Sequence, residues 1–287
     1  MEEKKKKKHS ASSVVIKRLL SDKSTVIGLV ILSLLILMAV FAPLVAPYSY
    51  KKINPTIAFQ GPSWEHPFGT DELGRDVLSR IIYGARWSLA VGFLSMIVSA
   101  VCGMFLGSIA GYCGGRVDNI IMRCMDVLQS FPQLLLAIVI SAALGSGLDK
   151  CVIALGVSGI PVFARHMRAS IMSIKGLEYV EAAVSIDCSD SRIITRHIIP
   201  NALSPILVQA SLSIAACILS AAALSFIGLG VQPPTPEWGA MLSAGRNYIR
   251  DYPHLVLFPG LFIMITVLSL NMVGDALRDA LDPRLKD

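Results

Sequence analysis

Residues 89–111 read LAVGFLSMIVSAVCGMFLGSIAG, a run without one charged side chain. An α-helix rises about 1.5 Å per residue, so about 20 such residues cross the roughly 30 Å hydrocarbon core of a bilayer. The run is long enough to do so, and it has company. Val26–Ala46, about Val127–Gly147, Leu203–Gly230 and Leu255–Gly274 repeat the pattern, while Cys151–Ala164 is shorter and has to borrow its flanks. Across all 287 residues, 54% are hydrophobic and 16% charged, outside the balance of a soluble globular domain. The expectation is an all-α membrane protein with six transmembrane helices.

Pro47 follows the one small-residue end of the first run, which is longer than the apolar region of a signal peptide, so a retained helix is expected. Six crossings put both termini on one side, and Lys and Arg mark the cytoplasmic side. Most of the 26 Lys and Arg fall in the N-terminal tail, at Arg116 and Arg123, across Arg165–Arg196, and over Arg278–Lys286. These segments are read as cytoplasmic. Lys51, Lys52, Arg75, Arg80 and Arg86 weaken the contrast, but Glu65, Asp71, Glu72 and Asp76 accompany them, and that segment is placed outside. The resulting organisation is a basic cytoplasmic tail (1–25), a first transmembrane helix (26–46), an extracytoplasmic segment (47–86), a five-helix core (87–275) with a cytoplasmic loop (165–201), and a cytoplasmic C-terminal tail (276–287). The run Lys4–Lys8 suits an anchor to membrane lipid; with no aromatic-interleaved basic face behind it, nucleic acid is not expected.

Gly103, Gly107 and Gly111 recur every fourth residue, the small-xxx-small spacing that lets helix backbones approach, either within one chain or between subunits. Arg123 and Asp126 are three apart and expected to pair at the mouth of the third span. Phe131-Pro132 and Pro161 should kink their helices, because proline lacks the N–H of the helical ladder. The 6 cysteines form no C-x-x-C pair and read as small apolar residues. His66 and His254 are isolated, so no metal site is expected. The chain lacks G-x-x-x-x-G-K-[ST], H-E-x-x-H and G-x-S-x-G, and Lys23-Ser24 has no glycine loop before it. With no acid placed inside a span to carry ions, uphill transport would draw its energy from another subunit.

Between the fourth and fifth spans the chain turns polar but stays patterned. Glu178 and Glu181 suit the N-terminal half of a short helix, Leu177, Tyr179, Val180 and Ala183 could give it an apolar side, and Ala182 and Ala183 keep it slim. Residues Asp187–Asp190 then read as a turn, with Ser189 as N-cap of a second helix, Asp190–Ile199, stopped by Pro200. An ordinary solvated loop is the alternative reading.

This loop resembles the EAA loop of ABC-importer permeases, in Glu181, Ala182 and Ala183 and in Ile198, Ile199, Pro200 and Asn201. Asp187 stands where the family pattern has glycine. HPFGTDELGRDVLSRIIYGARWSL (66–89), ALSFIGLGVQPPTPEWGAML (223–242) and GDALRDALDPRLKD (274–287) are similar to the dipeptide, oligopeptide and nickel group, specifically the second of its two permease subunits. The resemblance implies a type I ABC-importer permease fold and no catalytic residue. It implies a homologous second permease subunit, two cytoplasmic ATP-binding subunits that use the ATP, and an extracytoplasmic solute-binding protein; no cofactor belongs to this chain. It further implies that Glu178, Glu181, Ala182, Ala183, Asp187, Ser189, Arg196, His197, Pro200 and Asn201 couple to an ATP-binding subunit. Asp71, Arg75, Asp76, Trp238, Arg246 and Arg250 would lie outside, touching the solute-binding protein or forming a salt-bridged cap. Di- or oligopeptides are the expected solutes, with nickel or another small solute as the alternative; an ATPase-independent channel or carrier is the alternative of a different class.

Overall fold

The computed structural model describes residue 20 and residues 22–281, without the side chains of Val184, Ser191 and His197. The lysine run and the last residues of the C-terminal tail lie outside the described residues. Among those described, the regular elements are helical, with one isolated antiparallel bridge between Thr70 and Asp76.

Helix α1 (Lys23–Val40) starts where Asp22 accepts the Thr25 hydroxyl at 2.7 Å and the Thr25 N–H at 2.9 Å, two bonds that hold its carboxyl below the usual range. A single turn, α2 (Ala42–Val45), completes the first apolar run. Helix α3 (Val77–Cys113) begins well before Leu89, because Asp76 caps it by accepting the Ser79 N–H at 2.7 Å. The segment expected at 47–86 therefore ends in the first turns of this helix.

The expected third span is broken. Helices α4 (Gly115–Gln129) and α5 (Gln133–Leu144) meet at 86°, where Pro132 supplies no N–H and disfavours a helical Phe131. Pro161, by contrast, is carried inside α6 (Leu148–Lys175) without a break. Helix α6 shows how the short run Cys151–Ala164 borrows its flanks. Beyond it come α7 (Glu178–Ser185), α8 (Asp190–Ile193), a π-turn (Ile194–Ile198), α9 (Ile199–Phe226), α10 (Trp238–Gly245) and α11 (His254–Leu281). Among the described residues 4 helices, α1, α3, α9 and α11, could cross a membrane by length and composition, and the α4–α5 pair adds a fifth if taken as one span. Helix α6 equals α9 in length at 28 residues, but Arg165, Arg168 and Lys175 make its last turns polar.

The spaced glycines form an intramolecular seam. Gly103 lies against Ile160, Phe163 and Ala164, Gly107 against Ala164 and Met167, and Gly111 against Arg168 and Ile171. From the other side Gly156 meets Val98 and Gly159 meets Ser99. Residue numbers rise together along the contact, so α3 and α6 run the same way and α4–α5 carries the chain back between them. A Cβ on Gly103 would stand 2.5 Å from the Phe163 Cβ and 2.8 Å from the Ile160 carbonyl oxygen. The Ser99 hydroxyl donates to the Gly156 carbonyl at 2.7 Å, a bond that only such proximity allows.

At the end where α3 begins, residues 46–76 fold into a cap. Phe68 stacks on Phe258 with centroids 4.0 Å apart, and Phe59 packs on Tyr248 and Tyr252. Arg75 pairs with Asp71 at 2.6 Å and His66 with Asp76 at 2.8 Å, and Arg75 and Asp76 are only 7% and 2% exposed. Of the two roles expected for Asp71, Arg75 and Asp76, the geometry is that of the salt-bridged cap. Trp238 is wholly buried, its indole N–H donating to the Ile81 carbonyl at 3.0 Å, whereas Arg246 and Arg250 are exposed. The cysteines are all unpaired.

The seam gives a direct test. Gly107→Ala drives a methyl into the Ala164 carbonyl, and overpacking of this kind costs about 1–3 kcal/mol. The thermal midpoint of the detergent-solubilised protein should fall accordingly. Gly61→Ala, whose methyl meets nothing within 4 Å, should leave it unchanged; equal midpoints for the two variants would remove the seam from the account.

Candidate functional site

The polar stretch between α6 and α9 is a docked helix-turn-helix. Helix α7 opens with the Leu177 carbonyl accepting the Glu181 N–H at 3.2 Å, and places Glu178 and Glu181 in its first turn, where the positive end of the helix dipole favours them. Val180 and Ala183 are 1% and 6% exposed. With Ile193 and Ile198 they join a cluster containing Phe163, Met167, Ile171 and Ile174 of α6 and Ala202 of α9. The apolar side of α7 is thus narrower than expected. Leu177 and Tyr179 point outward at 44% and 42% exposure, beside the exposed Glu178, Glu181, Ala182 and Ile186.

The turn after α7 survives without glycine. Asp187 adopts φ +57°, and the Cys188 N–H reaches back to the Ala183 carbonyl at 3.1 Å, closing a Schellman-type cap. Asp is among the few residues besides glycine that enter this left-handed region readily, because its short side chain can hydrogen-bond locally. The Ser189 carbonyl then accepts the Ile193 N–H at 3.0 Å, which gives Ser189 the N-cap position of α8.

Pro200 does not stop the second helix. Helix α8 ends at Ile193, the π-turn follows with the Ile199 N–H bonded to the Ile194 carbonyl, and Pro200 sits in the first turn of α9. The helical run passes through it unbroken from Asp190 to Phe226, with the π-turn just before the proline, which has no N–H to give. Asn201 donates from Nδ2 to the Tyr179 hydroxyl at 3.3 Å, tying α7 to the start of α9. Arg196 is exposed, and the His197 side chain is outside the described residues.

Charged contacts fasten the same end of the bundle. Asp126 pairs with Arg165 of α6 at 2.6 Å and not with Arg123 as its spacing suggested; the crossing of α4 over α6 brings in a partner that intrahelical spacing cannot reveal. Arg168 holds Asp118 through two bonds of 2.5 Å in a fork geometry. Tyr112, near the end of α3, donates its hydroxyl to Asp190 Oδ1 at 2.5 Å and accepts Lys175 Nζ on its carbonyl at 2.7 Å. Sequence reading missed these links. Glu237 was also missed: it is 2% exposed, caps α10 by accepting the Gly239 and Ala240 N–H groups at 2.9 and 2.8 Å, and receives the Ser88 hydroxyl at 3.1 Å. Its only sequence signal is the position just ahead of Trp238, where a capping acid belongs.

Comparison with known proteins gives this bundle of apolar helices its family. Residues 103–287 match the family described as the binding-protein-dependent transport system inner membrane component, and residues 10–62 match the N-terminal TM domain of oligopeptide transport permease C. The chain belongs to the binding-protein-dependent transport permease family. It is 48% identical to the dipeptide transport system permease protein DppC of Alkalihalophilus pseudofirmus, over 94% of this chain and 89% of that one. To the di/tripeptide transport system permease protein DppC of Pseudomonas aeruginosa it is 44% identical, over 93% and 90% of the two chains. The glutathione transport system permease protein GsiD of Pectobacterium atrosepticum is 47% identical, over 90% and 86%. The fold is similar to that of the MetNI methionine ABC transporter in an inward-facing form, with TM-score 0.58 at 17% identity, covering 71% of this chain and 96% of the other.

The left-handed turn can be probed by substitution. Asp187→Gly should hold or raise stability by up to about 1 kcal/mol, and Asp187→Val should lower it by about 1–2 kcal/mol, since a β-branched residue fits φ +57° poorly. Differential scanning fluorimetry of the purified protein reads both; a Val variant as stable as the Gly variant would contradict the assigned backbone.

Proposed function

We propose that this chain is one of two permease subunits of an ATP-driven peptide importer, and that the exposed side of α7 is where a cytoplasmic ATP-binding subunit docks. The observation that carries this reading is the two-sided burial of α7. Val180 and Ala183 fix the helix to the core, while Glu178, Glu181, Ala182 and Ile186 face outward on a short, preformed element. A rigid helix with a slim, partly apolar outer side suits insertion into a groove. Family membership supports an energy source in a separate subunit, in keeping with the missing phosphate-binding loop, and favours this assignment over an ATPase-independent channel or carrier. On this reading ATP is bound and used by the partner subunits, and an extracytoplasmic solute-binding protein delivers the solute. Peptide as solute is supported by the names of the similar permeases, which carry dipeptide, di/tripeptide and glutathione.

In this reading α6 and the α4–α5 pair complete six crossings, which the parallel run of α3 and α6 favours because a return traverse must lie between them. Both termini and the loop then face the cytoplasm, following the distribution of Lys and Arg, and the cap of residues 46–76 lies outside. The apolar side chains left exposed on α9 and α11, Phe226 and Met264 among them, face lipid or the second permease subunit.

Ala182→Arg places a long cation on the docking side without touching the buried one. Expected are normal amounts of the chain in the membrane, loss of the ATP-binding subunits on co-purification, and uptake of a radiolabelled dipeptide into cells reduced to background. Undiminished uptake would overturn the docking site; a parent transporter that takes up no peptide, and whose solute-binding protein binds none in calorimetry, would overturn the solute.

A further inference from the structure

Tyr112 is the penultimate residue of α3, next to Gly111 at the end of the glycine seam. Its hydroxyl bonds Asp190, the first residue of α8, and its carbonyl receives Lys175, the last residue of α6. The Lys175 ammonium also lies 5.1 Å from the centroid of the Tyr112 ring. One residue of α3 thus grips both sides of the segment that carries α7.

The other fastenings of that segment described above reach α6 and α9, among them the bond from Asn201 Nδ2 to the Tyr179 hydroxyl. Val180, Ala183, Ile193 and Ile198 rest on α6 and α9 through apolar contact, which has no preferred direction. Gly176, the residue after α6, has open space where a side chain would be. A hydrogen bond from a hydroxyl to a carboxylate is directional and about twice as strong as a neutral one. It joins the loop to α3, a helix that cannot move apart from α6 because the seam leaves no clearance between them.

We propose that the Tyr112–Asp190 bond is the joint that hands movement of the docked loop to α3, with Tyr112 a positioning residue for transport that acts through Asp190. The proposal rests on α7 being the docking element. Without the bond, α7 follows the ATP-binding subunit and α3 stays behind. Hydrolysis then continues while transport lags.

The test uses the complete transporter in proteoliposomes, with ATP hydrolysis and uptake of a radiolabelled dipeptide measured on the same preparation. Tyr112→Phe keeps the ring and its packing but removes the donor. Expected are co-purification of the ATP-binding subunits as in the parent, hydrolysis within about twofold, and peptide moved per ATP lowered about tenfold, the scale of one lost charge-assisted bond. Asp190→Ala, on an exposed position and so without a packing penalty, should do the same, and the double variant should be no worse than either single one. Asp190→Asn, which still offers an acceptor oxygen, should recover most of the coupling. Unchanged peptide per ATP in Tyr112→Phe, independent multiplying losses in the double variant, or loss of the ATP-binding subunits from Tyr112→Phe would each overturn the joint. Failure of the docking reading looks different: the ATP-binding subunits would then co-purify with Ala182→Arg as well as with the parent.

Discussion

The rest of the bundle depends on the near contact of two backbones, where Gly103, Gly107 and Gly111 of α3 lie on α6. Between helices in lipid the hydrophobic effect offers little, because acyl chains are as apolar as leucine; close packing and interhelical hydrogen bonds must hold them. Three absent side chains supply the first and Ser99 on the Gly156 carbonyl the second. Two parallel helices so joined need a returning segment, and its position is then dictated. Helices α4 and α5 occupy it by bending at Pro132, and the bend lays Asp118 and Asp126 across the last turns of α6, opposite Arg168 and Arg165. What look like separate features, a glycine repeat, a broken span and two ion pairs, follow from one contact.

How far the sequence foretold this varies with the range of the forces involved. Helical type and the approximate place of each apolar run were legible, because hydropathy is a local property of side chains. Helix ends were less so: Asp76 starts α3 ahead of its apolar run by a cap, and the polar last turns of α6 continue past Ala164 because Met167, Ile171 and Ile174 still bury. The glycine spacing announced a close contact but not its partner. Arg123 was matched with Asp126 by spacing alone, yet the true partner lies on another helix, a relation that a single chain read linearly does not contain.

The loop shows the same division. Its helices, its turn and the acidic first turn of α7 were legible because caps and dipoles act within a few residues. Which face of α7 is buried was only half legible, since Leu177 is as apolar as Val180, Tyr179 has an apolar ring, and only the neighbouring α6 decides between them. Asp187 stands where the resemblance has glycine, and its φ of +57° is one that glycine adopts without strain. Pro200 misled because a proline inside a helix removes an N–H and so reads as a stop, whereas here a π-turn precedes it and the helical run continues on both sides.

The π-turn at Ile194–Ile198 has a consequence for phase. A turn closed over five residues accommodates one residue more than an α-helical turn, and each residue of an α-helix rotates the chain by about 100°. The angular setting of all of α9 relative to α8 therefore depends on that extra residue. Shortening the chain by one there would keep every side chain of α9 yet turn its buried stripe, from Ala202 to Leu224, about a quarter of the way round. In this stretch the number of residues is constrained as well as their identity.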